Sequence, residues 1–91
     1  MKAVRIIVTG KVQSVFFRQY TKKTADKLSI TGFVQNMLDG SVYVEAEGEE
    51  EAMQQFIQFC KLGSQQSAVK NINVSEITFI EFKKFIIRHG D

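Results

Sequence analysis

Val4, Ile6 and Val8 alternate with Ala3, Arg5, Ile7 and Thr9 in the opening segment KAVRIIVTG, which Gly10 closes. A period of two predicts a strand with one face toward a core. The period changes in FRQYTKKTADKLS, where Phe17, Tyr20, Thr24 and Leu28 recur at helical spacing. Thr21 and Ala25 lie beside that stripe, and Lys22, Lys23, Asp26 and Lys27 take the wet side of the predicted helix. TGFVQNM and SVYVEAE return to strand character on either side of Asp39-Gly40, a turn signal because glycine tolerates positive φ. In the second of these, Val42, Val44 and Ala46 alternate with Tyr43, Glu45 and Glu47, so one face is buried and the other wetter. GEEEAMQQFIQFCKLG predicts a second helix, with Met53, Phe56, Ile57 and Cys60 as its apolar stripe. Glu49, Glu50 and Glu51 at its start and Lys61 near its end match the helix dipole, and Gly63 is placed to end it. VKNINVSEITF predicts a further strand with Ile72, Val74 and Ile77 buried, and FKKFIIRHG a short closing strand through Phe85 and Ile87.

The order is strand, helix, strand, strand, helix, strand, plus a tail. Two strand-helix-strand units side by side predict a ferredoxin-like α/β sandwich, βαββαβ, an antiparallel sheet with both helices on one face. The other sheet face is left to side chains alone or partly open. Ninety-one residues make one domain, 1–91. The same fold hosts enzymes, RNA binders, metal carriers and regulatory modules, so topology leaves function open.

Composition narrows the classes. Apolar residues make up 44% of the chain, too many for disorder. The formal net charge of +2 is small, and the Lys and Arg are scattered, which argues against a nucleic-acid partner. The third strand, SVYVEAE, offers one aromatic and two acids where an RNA-binding sheet carries an aromatic signature. The single Cys excludes an intramolecular disulfide and fits a reducing compartment. Cys60 and His89 are too few for a zinc site, and no metal or other cofactor is expected. AVRIIV is too short for a membrane span. The expectation is a cytoplasmic, monomeric protein with no membrane partner.

The chemistry concentrates in GKVQSVFFRQY, between the first strand and the first helix. A loop there can turn consecutive backbone N–H groups toward one point, and the helix N-terminus adds partial positive charge. Arg18 enters the same space with a planar fork that suits phosphate oxygens. Spacing alone also allows the commoner outcome, a solvated Arg in the first turn of an amphipathic helix. Asn36, at the end of the second strand, has two readings of the same kind. It caps its own turn, or it faces the loop and holds a water through an amide that both donates and accepts. Phe16 and Phe17 read as core or loop filling, with Phe16 a candidate to line the mouth for an organic group. Cys60 reads as core packing.

The two segments together carry a resemblance. VTGKVQSVFFRQYT resembles the acylphosphatase signature G-x-V-Q-G-V-x-F-R, and ITGFVQNMLDG resembles that family's second signature, G-[FYW]-[AV]-x-N. The similarity runs on through AEGEEEAMQQFIQFCKLGSQQSAVKNI into FIIRH, in order and without large gaps. It implies hydrolysis of the carboxyl-phosphate bond of an acyl phosphate to carboxylate and inorganic phosphate, without metal or cofactor. By motif position it implies that Arg18 binds the phosphate, that the backbone from Gln13 through Ser14, Val15, Phe16 and Phe17 to Arg18 forms the cradle, and that Asn36 orients the attacking water. Three positions depart from the pattern. Gln65 follows Gly-Ser where Pro is usual, Phe33 stands for Trp, and Ser14 stands for Gly. If position 14 needs positive φ, Ser brings strain of about 1 kcal/mol. A catalytically weak, anion-binding relative is therefore the alternative.

Overall fold

The computed structural model describes residues 1–89. Its elements are β1 (Lys2–Lys11), α1 (Phe17–Lys27), β2 (Thr31–Asn36), β3 (Val42–Gly48), α2 (Glu50–Leu62), β4 (Ala68–Glu76) and β5 (Phe85–Arg88). They form one five-stranded sheet in the order β4-β1-β3-β2-β5. The first four are antiparallel neighbours, as the βαββαβ order predicts, and β5 adds a parallel edge to β2. Gly90, the last residue of the segment expected to close the sheet, lies outside the described residues.

The alternation read from the sequence sets the register. Ile6 of β1 stands opposite Val44 of β3 and Val74 of β4, and Val8 opposite Val42 and Ile72. Val4, Ile6, Val8, Val34, Val42 and Val44 form the sheet side of a single buried cluster, and Phe17, Ala25, Met53, Phe56 and Cys60 form its helix side. Both helices thus cover one face. Full burial of a Phe or Ile here contributes about 1.5–3 kcal/mol.

Three expectations need correction. The buried stripe of α1 is Phe17, Thr21 and Ala25, and Tyr20 is turned outward. Thr21 can be buried because its hydroxyl donates to the Phe17 carbonyl at 2.8 Å, inside its own helix. A phenol there would need a partner from elsewhere. Secondly, β4 ends at Glu76 and is an edge strand, so Ile72 is only half-buried and Val74 is exposed. Thirdly, Glu47 is buried on the face expected to be wetter. Its carboxylate accepts from the backbone N–H groups of Ile80, Glu81 and Phe82 at 2.5, 3.0 and 2.9 Å. Residues 77–84 therefore cross the second face of the sheet, where Phe82 meets Phe33 edge-on at 5.9 Å between ring centroids. That crossing covers the face on which Ala3, Phe33 and Glu47 lie buried.

Candidate active site

The loop between β1 and α1 is prepared by the strand before it. Gly10 does not end β1. The register with β4 shifts between Thr9 and Gly10, and the strand continues to Lys11. Gly10 has φ +124, and a Cβ there would lie 2.3 Å from the Ala68 carbonyl oxygen, so only glycine fits this bulge.

Beyond the bulge, side chains alternate between anchor and opening. Val12, Val15 and Phe17 are buried. The Val15 carbonyl also accepts from the buried Ser64 hydroxyl at 3.3 Å. Gln13 is turned away from the cleft and toward the β2–β3 hairpin, where Nε2 donates to the Met37 and Ser41 carbonyls, each at 2.8 Å. Ser14 and Phe16 are the exposed members of the series, and they take left-handed φ of 60° and 62°. A backbone with such reversals turns N–H groups toward one side, the geometry of an anion nest. The condition set for strain at Ser14 is thereby met.

Helix α1 opens from this loop with a free N-terminus. Its N-cap residue, Phe16, makes no side-chain cap, and the first turn carries no acid. The orphan N–H groups and the dipole's positive end are left for a ligand. Arg18 stands in that turn, half-buried, and its Nη1 donates to the Arg88 carbonyl of β5 at 3.0 Å. The guanidinium is thus tied to β5. Arg88 is itself held on β2, its guanidinium carbon 3.6 Å from the centre of the Phe33 ring.

One cleft is lined by Ser14, Phe16, Phe17, Arg18, Gln19 and Asn36, with Val12. Arg18 and Asn36, assigned to one site from two separate motifs, meet in it. The turn-capping reading of Asn36 fails, because Asp39 does that work. Its Oδ1 accepts from the Ser41 N–H at 2.9 Å and from the Ser41 hydroxyl at 2.6 Å. Those bonds hold the Asp39 carboxyl below its usual range. Asn36 Oδ1 is instead buried without a partner. The side chains of Gln13 and Val15 do not reach the cleft, so any part they play there is through the backbone.

Arg18 is the one charged residue among the described residues lining the cleft, and none of the others is an acid or a base. The site can hold and orient an anion and a water, and it offers no side chain to move a proton. Cys60 stays outside it: burial pushes the thiol up to about 12, and it serves as core. Two contributors escaped the sequence, the Arg88 carbonyl and the Gln13 tie. A main-chain acceptor 70 residues away leaves no residue-type signal.

The acylphosphatase family model matches residues 4–87. An acylphosphatase of Thermotoga petrophila is 40% identical over 89 residues, 98% of this chain and 99% of that one. The crystal structure of acylphosphatase from Bacillus subtilis superposes with a TM-score of 0.93 at 42% identity, covering 97% of this chain and 99% of that one. The structure of an acylphosphatase from Coxiella burnetii gives 0.92 at 36% identity, with 96% and 92% covered.

Proposed function

This chain belongs to the acylphosphatase family and is a hydrolase of acyl phosphates, and we propose that it works by positioning alone, with Arg18 holding the phosphoryl group and Asn36 holding the water. The observation that carries the proposal is the meeting of Arg18, the uncapped start of α1 and Asn36 in one cleft.

The phosphoryl oxygens take the backbone N–H groups of residues 13–18 and the Arg18 fork. Charge that develops on the equatorial oxygens meets donors already aimed at it. A water held by the Asn36 amide keeps one of its protons and directs a lone pair at phosphorus. The water oxygen–phosphorus bond forms as the bond from phosphorus to the acyl oxygen breaks, and the carboxylate leaves with that electron pair. The water's second proton passes to a phosphoryl oxygen, so RCO–OPO3 with two negative charges plus water gives RCOO⁻ and H2PO4⁻. A carboxylate is a good leaving group and asks for no acid, which suits a cleft without Asp, Glu or His. The same reading has the chain acting as one domain over 1–91, as a cytoplasmic monomer with no nucleic-acid partner, on the strength of its single Cys, scattered charge and self-contained site. Among the described residues no helix is long and apolar enough to cross a membrane.

The test is an assay of purified protein with a simple acyl phosphate, with and without a chelator. Arg18→Ala should lower kcat/KM at least about a hundredfold and weaken inhibition by inorganic phosphate. Asn36→Ala should lower kcat with phosphate inhibition kept. Full activity in both variants defeats the assignment of roles, and a chelator-sensitive rate defeats the metal-free chemistry. The left-handed Ser14 favours one second reading, a slow enzyme that binds its anion well, and a kcat that rises sharply in Ser14→Gly would support it.

A further inference from the structure

Phe16 and Phe17 are neighbours with opposite fates. Phe17 is 1% exposed and fills the core, whereas Phe16 is 60% exposed at the edge of the cleft. Phe16 also has a φ of 62°, a conformation that a bulky residue adopts at a cost and that glycine would adopt freely. The fold gains nothing from an aromatic ring that is both strained and wet. A ligand that covers it would account for both.

Tyr20 follows one helical turn on, 47% exposed, and its backbone N–H donates to the Phe16 carbonyl at 3.1 Å. Among the described residues the lining of the cleft holds no acid, and its one cation, Arg18, faces the phosphoryl group in the proposed mechanism. Nothing there receives a second charge. We infer that Phe16, supported by Tyr20, is the specificity-determining surface for the organic half of the substrate, and that it takes an uncharged, apolar acyl group, an aromatic one best. Aromatic rings gain from offset or edge contact beyond the area they bury, and a short acyl chain would leave the ring in water. The inference rests on the acyl phosphate reading and names the substrate class within it.

The experiment compares benzoyl phosphate with acetyl phosphate on the full chain, and its readout is the ratio of the two kcat/KM values. The wild type should favour benzoyl phosphate by about tenfold or more, the span that one apolar contact commands. Phe16→Asn removes the ring and keeps a residue that tolerates left-handed φ. It should cut the ratio by about tenfold, whatever happens to the separate rates, since the Phe16 N–H belongs to the cradle. Phe16→Leu should restore most of the ratio. Tyr20→Ala, outside the cradle, should cut it by about two- to fivefold. A wild-type ratio near one, or a ratio unmoved in Phe16→Asn and Tyr20→Ala, overturns the inference and leaves the acyl phosphate reading standing. Hydrolysis of neither substrate by the wild type overturns that reading itself.

Discussion

The Arg18 guanidinium donates through Nη1 to the backbone carbonyl of Arg88 at 3.0 Å, so the cation of the cleft leans on the strand farthest from it in sequence. A free Arg side chain gives up rotamer freedom of up to about 2 kcal/mol when it clamps a ligand. Here part of that loss is met on folding.

The support is testable without touching Arg18. The Arg88 side chain lies on the Phe33 ring of the neighbouring β2, and its carbonyl survives substitution. Arg88→Ala removes an exposed cation–π contact of about 0.5–1 kcal/mol. We expect KM for an acyl phosphate to rise by about two- to fivefold, the factor to which that energy converts, with kcat nearly kept. A KM equal to the wild type's, with a normal circular dichroism spectrum, would show that the support is idle.

Ser14→Gly relieves a left-handed φ of 60°. Glycine's greater freedom in the unfolded chain offsets part of the relief, so stability should rise by up to about 1 kcal/mol. Ser14→Ala keeps the strain and removes the hydroxyl. Urea midpoints should order Gly above Ser and Ala, and kcat/KM should follow the same order. Loss of activity in both variants would make the hydroxyl a substrate ligand.

Glu47→Gln should be the most damaging single exchange on the second sheet face. The carboxylate accepts from three backbone N–H groups through both of its oxygens. A Gln amide must present its own NH2 to at least one of those donors. Hydrogen bonds to a charged acceptor and an unsatisfied buried donor each weigh about 1–3 kcal/mol, so a loss of about 3 kcal/mol is expected. Equilibrium urea unfolding measures it, and a change under about 0.5 kcal/mol would refute the account of how residues 77–84 are held.

Alkali should unfold the protein through groups that folding keeps protonated. Burial raises the Cys60 thiol from 9.0 to about 12. Burial first, and then the hydrogen bond to Glu45, raise the Tyr43 phenol. A raised folded pKa means that stability is intact below the unfolded value and is lost as pH climbs toward the folded one. For Cys60 the window runs from about 9 to 12, at up to about 1.4 kcal/mol per pH unit. Cys60→Ala should flatten that limb, and a disulfide reagent at neutral pH should label the thiol only in denaturant. Rapid labelling of the native protein would contradict the buried placement.

The period of the apolar residues was enough for the element order, for both helices on one face and for the core of β1, β3 and α2. It misled where burial is decided by what arrives from far along the chain. Val74 alternates like a core residue, yet β4 has a neighbour on one side only. Glu47 alternates like a surface residue, yet residues 80–82 descend on it with three donors. Tyr20 has the right spacing for the core, and its hydroxyl keeps it out. Of the cleft, Arg18, Asn36 and the departure at position 14 were legible through the two motifs taken together, since spacing alone left Arg18 and Asn36 each with a second reading. The Arg88 carbonyl was not, because every residue has one.

The parallel pairing of β5 with β2, Gly32 to Phe85 through Gln35 to Arg88, bears on how the protein is born. Synthesis delivers the β1–α1 loop and Asn36 early, and the carbonyl that accepts from Arg18 only with β5. A nascent chain on the ribosome already carries both motifs, but its Arg18 has nothing to lean on until the strand 70 residues downstream has emerged and docked. Whatever the Arg18 contact adds to the cleft should therefore appear only once β5 has docked, as a late event of biogenesis.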